Sequence, residues 1–340
     1  MKAIGRHLFT VLRIAVGVGL LYYLGRSGVI DWSAVGRLFR AWPVTSVAFL
    51  LLLVDMAVTA YRLVVLLRPL GLHLSAWDST RLLLIGNFFN ACLPGATGGD
   101  LIKIYYAAEG NRGKRMEVAT AIILDRAVGM FGMMIWPLGA ALFFPELIAR
   151  LPVLQALLAG AALVGVGMLI GYWICRAEWF RRSRWMEWIL AKLPLGGYAR
   201  RILDTLYAYR GHSGALLLAT AISLLAHTMS AGITMLCAYA MHPESFAWEM
   251  SVLIPLGHLA NIVPLTPGGL GVGEAAFNQL FSMAGLTGGA EAMIGWRILY
   301  ILSGLVGLVF YMQGRKKFVH AAQAAADAEN SDGGPQPAVR

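Results

Sequence analysis

Gly257-His258-Leu259-Ala260-Asn261-Ile262-Val263-Pro264-Leu265-Thr266-Pro267-Gly268-Gly269-Leu270-Gly271-Val272-Gly273-Glu274 closes a hydrophobic run that starts at Leu253 and cannot cross a membrane as one helix. It has an earlier counterpart, Gly86-Asn87-Phe88-Phe89-Asn90-Ala91-Cys92-Leu93-Pro94-Gly95-Ala96-Thr97-Gly98-Gly99-Asp100, which closes a run starting at Leu82. Each offers about 12 mostly apolar residues before proline and glycine stop it, or about 18 Å of helix, well short of a hydrocarbon core of about 30 Å. Each then restarts as a helix behind an acid, Asp100 or Glu274. The economical shape is a re-entrant hairpin, a half-helix in and a half-helix out. Its turns are Pro94-Gly95 with Gly98-Gly99, and Pro267-Gly268-Gly269. Non-helical backbone at that depth is tolerated only where protein buries it or it lines a wet cavity.

The rest of the chain supplies the membrane. Of 340 residues, 58% are hydrophobic and 14% charged, and the mean hydropathy is +0.66. That excludes a soluble domain, a disulfide scaffold and a disordered chain. The net charge of +10 belongs to loops at an anionic lipid surface, because no stretch is long and polar enough for a nucleic-acid module. Cys92, Cys175 and Cys237 lie far apart and have no metal-ligand spacing, which makes them packing residues.

Six stretches suit transmembrane helices: about 8–24, 43–67, 118–143, 153–175, 214–241 and 292–312. Loop charge sets their orientation. The segment 176–213 carries eight basic residues from Arg176 to Arg210, 109–117 carries Arg112, Lys114 and Arg115, and the last span runs into Arg315, Lys316 and Lys317. By contrast, 144–152 has Arg150 alone and 242–250 has Glu244 and Glu249 without Lys or Arg. Both termini then lie inside. The exception is 25–42, placed outside with Arg26, Arg37 and Arg40, where Asp31-Trp32-Ser33 reads as the capped start of an interfacial helix. The aromatic and basic stretch 177–193 suits a helix on the inner leaflet, and 319–340 reads as a disordered cytoplasmic tail.

The first hairpin starts after Arg68, His73 and Arg81 and returns to the basic segment 109–117, while the second starts after Glu244 and Glu249 and returns to a loop near Gly288-Gly289, so each half reads helix, helix, hairpin, helix with opposite orientation. Gly86 and Gly257, Asn90 and Asn261, and Arg126 and Arg297 each stand 171 positions apart; the offset drifts to 174 for Asp100 and Glu274. The expectation is an all-α integral membrane protein with six transmembrane helices, two oppositely oriented re-entrant hairpins and an inverted repeat. It forms one membrane domain, 1–318, with repeat 1 at about 8–143 and repeat 2 at about 153–312. Such broken helices meeting near the midplane are a transporter signature.

Ionisable groups at membrane depth cost at least about 2.5–3.5 kcal/mol, so each needs a reason. Asp100 and Glu274 are N-terminal caps of the returning half-helices or carriers of protons or cations. Asn87, Asn90, His258 and Asn261 satisfy the broken helix ends or line a polar cavity. Arg126 and Arg297 pair with Asp100 and Glu274, or they mark the inner and outer ends of a phosphate path, for which a bidentate guanidinium is suited. Arg62 and Lys103 lie near the inner interface, where snorkelling explains them. His227 and Asp55 read as satisfied helix-packing groups. No phosphate loop, HExxH or nucleophile elbow is present, and no metal or cofactor is called for.

Asn87-x-x-Asn90-x-x-x-Pro94-Gly95-x-x-Gly98-Gly99-Asp100, Leu124-Asp125-Arg126 and Asn261-x-x-Pro264-x-x-Pro267-Gly268-Gly269-x-Gly271-x-x-Glu274 together resemble the transmembrane region of lysylphosphatidylglycerol synthases. That flippase-like family also occurs as stand-alone proteins. The resemblance covers about residues 8–315. It implies a multi-pass protein of a bacterial inner membrane that handles lipid. Only about 28 residues follow the last span, too few for the soluble synthase domain, so it implies the lipid-handling half alone. The function expected is transport of an anionic or phosphate-bearing lipid between leaflets by alternating access, passive or coupled to protons or ions, rather than an enzyme activity. The alternatives are a membrane-embedded headgroup transferase or hydrolase with Asp100 or Glu274 as base, and a non-catalytic subunit of a lipid-synthesis complex. Lipid identity, direction and oligomeric state stay open.

Overall fold

The computed structural model describes residues 19, 21–92, 98–109, 111, 114–178, 183, 188, 192, 196–262, 266 and 269–331, and among them every regular element is helical. A helical stretch over 21–26 leads to α1 (Trp32–Arg40), α2 (Trp42–Leu67), α3 (Ala76–Cys92), α4 (Gly98–Glu109), α5 (Arg115–Ala141), α6 (Pro145–Arg150) and α7 (Pro152–Arg176). Then come α8 (Gly196–Ala208), α9 (Ser213–Met241), α10 (Met250–Leu259), α11 (Val272–Met283) and α12 (Gly289–Ser331). Five stretches are long and apolar enough to cross a membrane: Trp42–Leu70, Arg115–Ala141, Pro152–Arg176, Ser213–Met241 and Gly289–Gln313. They match five of the six expected spans. The first, 8–24, lies largely outside the described residues, as does most of 177–193. Leu163, Val166, Leu169 and Ile170 of α7 point outward, as hydrocarbon-facing side chains do.

The bundle has two ends. At one, α1 docks through Ala34 and Leu38 onto the start of α2 and the end of α9. Asp31 caps α1 as its sequence predicts: its carboxylate accepts the Ser33 N–H at 2.8 Å, and hydrogen bonding to Ser33 holds its carboxyl below the usual carboxylate range. Arg37 Nε donates to the Met241 carbonyl at 2.6 Å, and the Asp31 N–H donates to Glu291 at 2.6 Å. At the other end, Leu63 and Leu67 of α2 pack with Leu72, Leu82, Ala107, Ala108 and Val118, while the Tyr209 hydroxyl donates to the Leu66 carbonyl.

Element starts reproduce the sequence offset. Trp42 and Ser213 open α2 and α9, 171 apart; Gly98 and Val272 open α4 and α11, 174 apart; Arg115 and Gly289 open α5 and α12, again 174 apart. Asp100 and Glu274 are each the third residue of their helix. Packing repeats as well. α2 lies along α9, while α3 of the first half packs on α12 of the second and α10 of the second packs on α5 of the first.

One detail departs from the sequence reading. α12 continues to Ser331, past residue 319, where composition suggested a disordered tail; the alanine-rich run from Ala321 to Ala328 has the propensity to prolong a helix. Arg126 is the twelfth residue of α5 and Arg297 the ninth of α12. The offset has already drifted to 174 by the time these helices start.

Candidate functional site

Between α10, α11 and α12 the second glycine-rich motif builds a dense polar knot. Gly269 and Gly271 adopt φ of +70° and +78°, a region only glycine enters without strain, and the turn delivers the chain into α11. Glu274, 0% exposed, reaches back so that Oε2 accepts the Gly271 N–H at 2.7 Å, as an acid at the third helical position does. Its Oε1 accepts Arg297 Nε at 2.8 Å, and Arg297 Nη2 donates to the Gly269 carbonyl at 3.4 Å. The Arg297 side chain is 16% exposed. Glu274 therefore acts as the cap, and Arg297 is its partner. Glycine also makes room for Asn261: a Cβ at Gly269 or Gly273 would stand 2.2 or 2.4 Å from Asn261 Oδ1. That oxygen is buried and accepts no hydrogen bond, while Nδ2 faces the Met293 sulfur at 3.9 Å.

From there an aromatic and polar line crosses to the first half. The His258 ring, 9% exposed as a residue, lies edge-on to Phe277 and Trp296, with centroids 5.1 and 4.9 Å away. Trp296 stacks on Tyr300 at 5.1 Å. The Tyr300 hydroxyl donates to Asn87 Oδ1 at 2.9 Å, and Asn87 Nδ2 faces the Met56 sulfur at 3.5 Å. His258 Nε2 and Trp296 Nε1 are buried without a partner. Thus Asn87, His258, Asn261, Glu274 and Arg297 come together along one wall.

A family model described as the lysylphosphatidylglycerol synthase TM region matches residues 10–307. The chain belongs to that family. No curated protein and no solved structure matches it. Membership in the lysylphosphatidylglycerol synthase TM-region family and the five membrane-length helices make the chain a multi-pass membrane protein of a family concerned with lipid handling.

In the first half, this family member is described less fully. Pro94 and Gly95 lie outside the described residues, as do Gly268 and Pro267 in the second motif. Gly98, Gly99 and Asp100 are described only as the start of α4. Asn90 and Lys103 are partly buried on α3 and α4, and both hold interactions with neighbours. Arg126 is exposed on α5, on the helix where Asp125 turns inward.

The structure also assigns a role the sequence reading missed. Arg62, 7% exposed, does not snorkel. Its Nε and Nη2 donate to the two oxygens of Asp125 at 2.7 and 3.2 Å, and Nη1 donates to Ser223 Oγ at 3.1 Å. This bidentate pair ties α2 to α5 and α9. Gly129 and Gly132 make room for it, since a Cβ there would lie 3.1 Å from Arg62 and 2.4 Å from Ser223. His227 Nε2 bonds the Gly129 carbonyl at 3.0 Å, the packing role expected of it. Asp55 departs from expectation: its buried Oδ1 accepts no hydrogen bond.

Proposed function

We propose that this protein moves a phosphate-bearing lipid between the leaflets by alternating access, the headgroup passing between two re-entrant hairpins, α3–α4 and α10–α11. The observation that carries the reading is how the hairpins are footed. Asn111, just after α4, accepts the His73 N–H at 3.0 Å and donates to the His73 carbonyl at 3.1 Å, just before α3. Ser245, before α10, shares a hydrogen bond with Thr287, after α11. Each pair of short helices thus leaves the bundle end it started from and returns there. The first foot lies with Leu67, Leu72 and Val118, and the second with the α9–α10 and α11–α12 turns.

At about 1.5 Å per residue, the twelve-residue α4 and α11 span about 18 Å, so their N-termini lie near mid-membrane. Their positive dipole ends favour an anion there. The swapped packing of α3 on α12 and α10 on α5 couples the halves, so opening at one face closes the other. Arg126, exposed on α5, meets the phosphate on one side, while Arg297 stays locked to Glu274 and sets the field on the other. A transferase or hydrolase using Glu274 as base fits less well, because both its oxygens already accept hydrogen bonds, one from a guanidinium. The first hairpin dips in from the cytoplasm, following the basic loops.

The test is reconstitution into liposomes holding a fluorescently labelled phospholipid, bleached from outside by dithionite. Transport predicts bleaching well beyond the outer-leaflet half, slowed by Arg126→Ala in folded protein. A plateau at one half across a panel of phospholipids would overturn the reading.

A further inference from the structure

Asp55 is the fourteenth of the 26 residues of α2, so about 18–20 Å of helix lies on either side of it and its carboxyl stands near mid-membrane. Its neighbours Leu52 and Met56 pack into an apolar cluster with Leu84, Ile233 and Cys237, and its buried Oδ1 accepts no hydrogen bond. An ionised carboxylate at such a depth is held by a cation, or it marks a path for ions or protons.

On that side of α2 the next charge is Arg62, seven residues further along. Helical side chains lean toward the N-terminus, which turns Arg62 toward Asp55. Arg62 is already committed: Nε and Nη2 donate to both oxygens of Asp125 on α5, and Nη1 donates to Ser223 on α9. The groups on the other helices against α2 are engaged as well. His227 of α9 bonds the Gly129 carbonyl, and Asn87 of α3 bonds Tyr300 of α12. Arg297 of α12 is held by Glu274, and Asp78 and Arg81 pair on the first turns of α3. Asp31 and Arg37 of α1 bond Ser33 and the Met241 carbonyl, by the start of α2. With no cation left for it, Asp55 fits the bilayer as the neutral acid. A proton needs no cavity. A metal ion needs several ligands at once, and among the described residues no group of three histidines, cysteines or acids offers them.

We propose that Asp55 binds the proton that couples lipid movement to a proton gradient, and that this proton governs the Arg62 tie. With Asp55 protonated, Arg62 belongs to Asp125 and Ser223 and holds α2 of the first half to α9 of the second. When the carboxyl gives its proton to water, two carboxylates compete for one guanidinium. Arg62 then swings toward Asp55 and the bond to Ser223 opens. The proton taken up at one face is released at the other. Met56, the next residue, faces Asn87, which sets the site beside the proposed headgroup path. This rests on the transport reading for its context and names its energy source.

The test uses the whole chain with Cys92, Cys175 and Cys237 replaced by serine and spin labels on Tyr61→Cys of α2 and Ile123→Cys of α5, both exposed positions. In micelles, infrared difference spectra at neutral pH should show the carbonyl stretch of a protonated carboxyl that Asp55→Asn lacks. Raising the pH should remove that band and shift the distance between the labels, whereas Asp55→Asn, a fixed mimic of the neutral acid, should keep the low-pH distance. In liposomes, an imposed pH gradient should drive labelled phospholipid toward one leaflet; Asp55→Glu should retain that response and Asp55→Asn lose it. An ionised Asp55 at neutral pH, a distance indifferent to pH, or a response to a sodium gradient in place of the pH gradient overturns the proposal. The parental protein alone decides the distance arm, even where Asp55→Asn fails to fold. Lipid movement that ignores the pH gradient would sink this inference and spare the transport reading. The band and the distance change without any lipid movement would sink the transport reading and leave the proton-held tie standing.

Discussion

Replacing Glu274 tests whether the turn into α11 is anchored as the structure shows. Its side chain is wholly buried and holds two charge-assisted bonds, 2.7 Å from the Gly271 N–H and 2.8 Å from Arg297 Nε. Removing one member of a buried ion pair strands the other, at a cost of about 3–5 kcal/mol. Glu274→Ala should fall in that range. Glu274→Gln keeps an acceptor for the Gly271 N–H and loses the charge, which puts its cost at about 2 kcal/mol, the worth of a hydrogen bond to a charged group. Arg297→Met leaves the carboxylate stranded and should cost about 3–5 kcal/mol. Combined with Glu274→Gln it removes both charges, so the double variant should be more stable than the sum of the singles implies by about 2 kcal/mol. The assay is reversible unfolding in mixed micelles titrated with dodecyl sulfate and followed by helical circular dichroism. A coupling below about 0.5 kcal/mol, with Glu274→Gln near neutral, is what a solvated surface pair gives, and it would refute the anchoring.

Other outcomes follow from packing and caps. At Gly307, where a Cβ would stand 2.0 Å from the Leu84 carbonyl, Gly307→Ala should push α3 off α12 and cost about 1–3 kcal/mol, while Gly167→Ala on α7, where a Cβ meets nothing, should be neutral or stabilising in the same titration. Asn111→Ala unties the chain after α4 from the chain before α3 and should cost about 1–3 kcal/mol and, on the proposed reading, slow transport; unchanged stability and rate would argue against that tie. Because Ser33 lowers the Asp31 carboxyl in the folded state, the contribution of that cap is complete above the unfolded value near 3.8 and fades as pH falls through the lower folded value. Asp31→Asn should abolish that acid-limb dependence, checked by the pH profile of α1 undocking with a probe at Trp32.

Much of the architecture could be read because its causes are local. Proline and glycine after a half-length apolar run mark where α3 and α10 stop, and the third-position acids mark where α4 and α11 restart. Asp31 caps α1 because a short side chain next to its own backbone needs nothing distant. The site was legible where motif and contact coincide, as in Glu274 against Arg297. It was not where partners come from remote helices. Arg62 meets Asp125 and Ser223, 63 and 161 positions away, and no spacing along the chain announces that meeting. Nothing along the chain singles out Trp296 and Tyr300 until α10 and α3 place His258 and Asn87 against them. Gly307 likewise becomes necessary only once the Leu84 carbonyl lies over it.

Alternating access requires that the wall between the hairpins be reached from each face in turn, and a single cysteine at position 87 measures this. Asn87 is buried where α3 meets α12, bonded to Tyr300. In Asn87→Cys, with Cys92, Cys175 and Cys237 replaced by serine, an impermeant thiol reagent is applied to oriented proteoliposomes from outside or from within. The account predicts labelling from both faces, with added phospholipid changing the ratio of the two rates. Labelling from one face alone, whatever lipid is present, would contradict it.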